Sequence, residues 1–484
     1  MTELRAPFRR REAFGPTSAY RLTPFRFHLL GQRYLLVNEV GEYTLLPRSQ
    51  LVALVERRLS PDSDAYRVLK AKHFLFDDDS RVALDLLAMK YRTRAERVAE
   101  FTALHMFVVT LRCDHSCHYC QVSRQSEERG GFDMTREMAD LAVEQVFRSP
   151  AKRLKIEFQG GEPLMNFGLV RHVVERALSL NEIHRRSLSF VVASNLSRLS
   201  PEILSFCKQH HLQFSTSLDG PRDLHETQRP LPGDSSYERT IDGIRAVRAE
   251  LGHLAVSALM TTTPRSLGRV EEIVDEYVAQ GFDSIFLRSL SPYGFASKSL
   301  VRRYDARDWI AFYTRGLRHI LALNSRGTRI REEFASILLQ NLLSPGRSGY
   351  VDLQSPAGIG IGGIVYNYDG AVYASDEGRM LAEMGDTSLK LGYLGTDSFE
   401  DIMTSNALLV PLEASMLESA PMCSDCAFAP ACGADPAYHR ATQQDWLGHK
   451  AFSDFCKKQI GVLELLVELL ENDSSAREIL LGWI

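Results

Sequence analysis

Residues 105–121 read HMFVVTLRCDHSCHYCQ, and this stretch sets the reading of the whole chain. The apolar run HMFVVTL (105–111) predicts a buried strand. It runs directly into Cys113, Cys117 and Cys120, spaced C-x3-C-x2-C. A four-iron cluster asks for four thiolates, so three close ones with no evident fourth leave one iron open to a small molecule. Structural zinc prefers four closed ligands, usually in C-x2-C pairs. His115 or His118 would then supply the fourth, and that alternative stays open. Tyr119 fits an aromatic side chain packed against a cluster.

Downstream, apolar strand and helix alternate. RLKIEF (153–158), LSFVVAS (188–194), LQFSTSL (212–218), LAVSALM (254–260) and SIFLR (284–288) read as strands, with helical segments such as 135–149, 166–180 and 235–251 between them. That alternation implies parallel strands with right-handed crossovers, hence a twisted sheet or partial barrel. In such folds reactive groups gather at the C-terminal ends of the strands, where the first cysteines lie.

Ahead of this core, RFHLL, RYLLVNE and YTLLP (within 26–47) read as short strands, followed by helices near 48–58, 62–71 and 80–99. This unit is either a structural cap or a peptide-recognition module offering RYLLVNEVGEYTLL (33–46) as a strand edge. Residues 300–345 look helical, and Pro345–Gly346 mark a boundary. IGGIVYNYDGAVYAS (361–375) reads as a hairpin around Asp369–Gly370, and the amphipathic tail 461–484 is expected to dock on the body. The expected division is an N-terminal α+β unit (1–100), an α/β core (101–345) and a C-terminal domain (346–484).

A chain of 484 residues exceeds one ordinary core. A net charge of −4 argues against a nucleic-acid partner. No apolar run approaches a membrane span and Met1 precedes no signal-like segment, so the expected location is the cytoplasm. The eight cysteines are too sparse for a disulfide scaffold, and seven fall in Cys113/Cys117/Cys120 and Cys423/Cys426/Cys432 with Cys456 downstream. Clustering of this kind points to metal or clusters. Cys207, alone on an apolar helical face, reads as a core thiol.

The C-x3-C-x2-C spacing resembles the AdoMet radical superfamily, and later segments follow that family's order. EFQGGEP (157–163) resembles its Gly-Gly-Glu-Pro motif. The resemblance implies that Gln159, Gly160, Gly161, Glu162 and Pro163 bind AdoMet, bare backbone at the glycines letting the methionine moiety approach and Glu162 helping hold its ammonium. It implies ribose contacts from Ser194 and Asn195. STSLDGPRDLHETQR (215–229) resembles the fourth-strand segment of the peptide-modifying branch, implying AdoMet contacts from Ser217 and Arg229, with Leu290 toward the adenine. Asp219 is either functional or a turn cap before Gly220.

Cys423, Cys426, Cys432 and Cys456 resemble the ligand set of the second auxiliary cluster in that branch's SPASM domain. The first auxiliary cluster's positions hold Ser355, Ser375 and Pro436, although the frame between them is kept. Together, VVTLRCDHSCHYCQVSR, KIEFQGGEPLMNF, LRSLSPYGFA, YVDLQSPAG, NYDGAVYASDEGRMLAEMGD and CSDCAFAPACGADP resemble the His-Xaa-Ser system radical SAM maturases of HxsB type. The resemblance implies a partial (β/α)6 TIM-like barrel with a SPASM-like C-terminal domain, a radical-generating [4Fe-4S] cluster that cleaves AdoMet to a 5′-deoxyadenosyl radical, and one auxiliary [4Fe-4S] cluster. It further implies a ribosomally made precursor peptide with His-Xaa-Ser repeats, a second radical SAM protein, and an electron donor such as flavodoxin or ferredoxin. Arg288, Tyr293, Asp376 and Glu377 are the candidate substrate contacts. A precursor-binding scaffold without catalysis and a zinc-stabilised binding module are the alternatives from other classes.

Overall fold

The computed structural model describes residues 20–77, 82–298 and 304–484. The chain divides into two compact units. The smaller comprises Met1–Glu96 with Asn341–Gly346 and Pro421–Ala431, and the larger comprises Arg97–Gln340, Arg347–Ala420 and Cys432–Ile484.

The larger unit is built on a nine-stranded sheet, its strands labelled here in chain order. They are β1 (Leu104–Thr110), β2 (Arg153–Gly160), β3 (Ser187–Ala193), β4 (Gln213–Ser217), β5 (Val256–Thr261), β6 (Leu287–Arg288), β7 (Gly363–Tyr366), β8 (Ala371–Tyr373) and β9 (Lys390–Tyr393). Their order is β6-β5-β4-β3-β2-β1-β7-β8-β9. All pairings from β6 to β7 are parallel, and β7–β8 and β8–β9 are antiparallel. Between the parallel strands run helices such as Arg136–Arg148, whose Thr135 cap accepts from the Met138 amide and whose inner face is Ala139, Ala142, Val143 and Val146. This is the α/β arrangement that alternation predicts, and no described helix is long and apolar enough to cross a membrane.

Two expectations differ in detail. SIFLR is not one strand: Ser284–Ile285 pairs with Arg331–Glu332, Leu287–Arg288 pairs with β5, and Phe286 between them packs on Phe334 and Tyr350. The sheet also runs past residue 346, because β7 lies parallel against β1, Gly363 opposite Leu104, and brings the hairpin around Asp369–Gly370 with it. The C-terminal helices Asp454–Asn472 and Ser474–Leu481 bury Val462, Leu463, Leu466 and Leu480, with Gly461 against Ile310. Cys207 is fully buried, and burial pushes its thiol up to about 12.

In the smaller unit the strands Phe25–Leu30, Arg33–Asn38 and Tyr43–Leu46 form an antiparallel sheet. Its core gathers Leu36, Leu46, Leu54, Tyr66, Leu69 and Phe74. Arg33–Asn38 is the central strand, paired on both sides. The proposed edge at Leu36 is therefore corrected: a side chain with no exposure lies mid-sheet, and the edge carrying exposed apolar groups is Phe25–Leu30, with Phe27 and Leu29 at 55% and 56% exposure. The segment 421–431 belongs here as well. Arg26 Nε donates to the Ser424 carbonyl, His28 packs on Phe428, and buried Arg94 donates to the carbonyls of Asn341 and Pro430.

Candidate functional site

The loop after β1 is held by its neighbours. Thr110 Oγ1 and Arg112 donate to Asp133, and the Cys113 amide donates to the Gln125 carbonyl. The Cys120 amide closes a turn on the Cys117 carbonyl, while the Cys120 carbonyl accepts from the Phe295 amide at 2.8 Å. Gly294, at φ +59°, sits so close that a Cβ would lie 2.3 Å from the Gln121 carbonyl oxygen.

Cys113, Cys117, Tyr119 and Cys120 line one cavity. The second strand contributes Gln159, Gly160 and Gly161, the third Ser194 and Asn195, and the fourth Ser217. Arg229, Arg288 and Asp376 complete the set. The motifs thus meet at the C-terminal ends of β1–β5.

Burial pushes the Cys113 and Cys117 thiols up, Cys117 to about 11; Glu162 adds to the rise at Cys113, while the Arg229 guanidinium opposes it at Cys117. Three sulfurs of one loop lining one cavity are a donor set suited to a cationic iron cluster. His115 is buried, its Nδ1 facing Asp114 and Asn195, and its Nε2 is without a hydrogen-bond partner. Asp114 itself is spent: it accepts from Asn195, Ser197 and Arg198, and its hydrogen bonds with His115, Ser197 and Asn195 hold its carboxyl far below the usual range despite burial. His118 is exposed.

Several expected roles change in detail. Gly160, at φ +136°, and Gly161 are required by packing on the cysteine loop, since a Cβ would lie 2.0 Å from the Thr110 oxygen and 2.2 Å from the Arg112 oxygen. Glu162 does not line the cavity. It is fully buried, accepting at Oε1 from the Leu164 amide and Ser194 Oγ and at Oε2 from the Asn195 amide. It therefore ties the end of β2 to the end of β3, with burial pushing its carboxyl up to about 7. Pro163 is buried at the start of the turn that follows. Asp219 is not a turn cap: it accepts from Tyr119 Oη at 2.7 Å and from the Thr261 amide, while Arg229 donates to Tyr119 Oη at 2.7 Å. This buried acid–phenol–guanidinium chain holds Tyr119 beside the thiols.

Leu290, Tyr293 and Glu377 line an adjoining cavity instead, with Arg288 bordering both. The adjoining space also takes Asp352, Asp435, Tyr438 and Lys458, which sequence reasoning missed. They lie far apart in the chain with no motif to tie them together. Tyr293 is buried at 2% exposure, not a surface residue.

Auxiliary-cluster positions give two different pictures. Ser355 Oγ donates to Glu418, Ser375 caps the helix Asp376–Glu383, and Pro436 begins the helix Pro436–Gln443. None is a thiolate, so a first auxiliary cluster does not fit. Cys423 and Cys426 share a turn in the smaller unit, while Cys432 and Cys456 belong to the larger, Cys456 in the first turn of Asp454–Asn472.

Residues 107–277 match the profile of the Radical SAM superfamily. The chain carries a radical SAM domain. An uncharacterized protein of Methanothermobacter thermautotrophicus is 28% identical over 184 residues, 37% of this chain and 66% of that one. A cysteine-type anaerobic sulfatase-maturating enzyme of Clostridium novyi is 22% identical over 74% of this chain and 94% of its own. The chain spans 66%, 61% and 37% of the first three curated relatives it matches. Among solved structures, native anSMEcpe with bound AdoMet superposes with TM-score 0.64 at 15% identity, covering 78% of this chain and 100% of that one. SuiB of Streptococcus suis bound to precursor peptide SuiA gives 0.52 at 12% identity, covering 89% and 98%. These likenesses show the fold, a partial barrel of the radical SAM type.

Proposed function

We propose that this chain is a radical AdoMet enzyme that modifies a ribosomally made precursor peptide, in a system of the His-Xaa-Ser type. The observation that carries the reading is the meeting of Cys113, Cys117 and Cys120 with the Gly160–Gly161 turn and the ends of β3–β5 in one cavity. When bound, the cluster and AdoMet supply a one-electron cleavage of a carbon–sulfur bond and a radical able to take hydrogen from the peptide. The chain's own part is to bind and hold. The three thiolates bind, Glu162 fixes the loops after β2 and β3, and Tyr119 is held by Asp219 and Arg229. Gln159, Ser194, Asn195, Ser217 and Arg229 present polar groups to AdoMet.

The names of similar proteins support a peptide substrate: SuiB was solved with its precursor peptide and anSMEcpe with AdoMet and the Cp18Cys peptide. The spacing of Cys423, Cys426, Cys432 and Cys456 supports one auxiliary cluster. An electron donor such as flavodoxin or ferredoxin and a second radical SAM protein belong to the same reading. The exposed Phe27 and Leu29 on the edge strand Phe25–Leu30 support leader binding by strand addition.

Anaerobic reconstitution followed by reduction with AdoMet present should yield 5′-deoxyadenosine, and co-expression with the precursor should change the peptide's mass. A protein that holds zinc without iron is a binding module; one that binds iron and precursor yet forms no 5′-deoxyadenosine is a scaffold. Either result overturns the proposal.

A further inference from the structure

Beside the thiol cavity lies an acidic space with aromatic walls, built in two lobes. Both lobes are lined by Arg288, Asp352, Glu377 and Asp435. One lobe is walled by Trp309, Phe334, Tyr438 and Phe455, and the other reaches Ser375 and Pro436, two positions where a thiol is lacking. We propose that this space takes a cationic side chain of the peptide, an ammonium, guanidinium or imidazolium group. The proposal rests on the peptide-modifying reading and adds the chemistry of the residue selected.

Charge is the first observation. Glu377 and Asp435 enter no ion pair among the described residues; Arg288 acts on Glu377 and Lys450 on Asp435, but the neighbours that push Glu377 hardest are the carboxylates Asp352, Asp376 and Asp435. Burial together with these neighbours pushes Glu377 up to about 8 and Asp435 to about 7. Carboxylates withdrawn from water in this way are stabilised by a cation that arrives from outside. Asp376 already has Arg379 at 3.2 Å, and Arg288 is shared among Asp352, Glu377 and Asp376.

The second observation is independent of charge. Among the described residues, Tyr293 Oη and Gln459 Oε1 have no hydrogen-bond partner although their residues are only 2% and 6% exposed, and both residues line the aromatic lobe. A buried acceptor left unmade is costly, so each marks a place for a ligand donor. A phenol and an amide oxygen both accept from N–H groups, as the carboxylates do. The wall also suits a cation directly: the Lys458 ammonium stands 5.7 Å from the Trp309 ring centroid. Because Arg288 borders both cavities, a residue held by its side chain here keeps its backbone close to the thiol cavity.

The test is calorimetric titration of the full chain, without AdoMet or reductant, with Nα-acetyl methylamides of lysine, arginine and histidine, and of norleucine as the uncharged isostere. At least one cationic compound should bind with a Kd near or below about 1 mM, and norleucine at least about tenfold more weakly. Glu377→Gln should weaken the cation about tenfold, and Tyr293→Phe, which removes only a hydroxyl, about threefold. Equal binding of norleucine, no binding of any compound, or wild-type affinity in both variants would overturn the proposal. Because binding is read apart from turnover, it stands or falls separately from 5′-deoxyadenosine formation, which tests the reaction.

Discussion

The thiol cavity and the acidic cavity share Arg288 yet are assembled in opposite ways. The first takes its residues from short motifs within a few positions of a strand's end, so each strand delivers its own group. The second draws on positions 288, 352, 377, 435 and 458, brought together only by the folding of the whole larger unit. The first cavity is written locally in the sequence, and the second is written across the chain.

If that contrast holds, single changes in the local motifs should abolish the reaction outright. Cys113→Ala, Cys117→Ala and Cys120→Ala should each reduce 5′-deoxyadenosine formation to background, while Cys207→Ala leaves it unchanged. A Cys117→Ala protein that turns over normally removes the basis for the cluster assignment. The iron count sharpens the same point. Native protein should hold about eight irons in two four-iron clusters, and the triple alanine variant about half of them. About twelve would restore the first auxiliary cluster that Ser355, Ser375 and Pro436 argue against.

Next in size come effects of packing. Gly160→Ala places a Cβ on the Thr110 carbonyl at a backbone angle that L-residues avoid, and should cost at least about 2 kcal/mol in chemical denaturation. Gly168→Ala, with nothing near its Cβ, is the control. In the smaller unit Leu36→Pro should cost about 3 kcal/mol or more, since it removes a backbone donor in a strand paired on both sides. Leu29→Ser on the exposed edge should leave stability within about 0.5 kcal/mol and weaken precursor binding if the leader docks there. Unchanged precursor affinity in Leu29→Ser assigns the unit a structural role only.

The α/β core was legible because hydrophobic runs, turns and cysteine spacing are local signals. HMFVVTL, RLKIEF and LQFSTSL each appear as strands within a residue or two. What escaped the sequence depends on contacts between distant segments. Leu36 looks like an edge until Phe25–Leu30 is seen paired against its other side, and SIFLR looks continuous until Arg331–Glu332 takes half of it. The same holds for Glu162, which reads as a ligand in its motif and acts as a brace because Ser194 and Asn195 reach it from the next strand.

The remaining prediction tests the long-range side of the comparison. Glu332 is fully buried, and it accepts from the Leu287 amide at 3.0 Å, from the Ala335 amide at 2.6 Å and from Tyr313 Oη. It thereby holds β6, and with it the position of Arg288, from a point 45 residues away in the chain. Burial raises its carboxyl from 4.5 to about 7. A folded-state value above the unfolded one means that the native state binds the proton more tightly. The resulting stabilisation is complete below about 4.5 and is lost as pH rises through about 7. Glu332→Gln cannot titrate, and its amide nitrogen also mismatches one of the two backbone donors, so it should be the less stable protein at low pH. Its deficit against the wild type should then shrink between pH 4.5 and 7, because only the wild type loses stability over that window. Denaturant midpoints of the two proteins across this range measure the difference directly. A deficit that stays constant or grows with pH would show that the carboxylate is held in its charged form, and that β6 is braced by an ion and not by a shared proton.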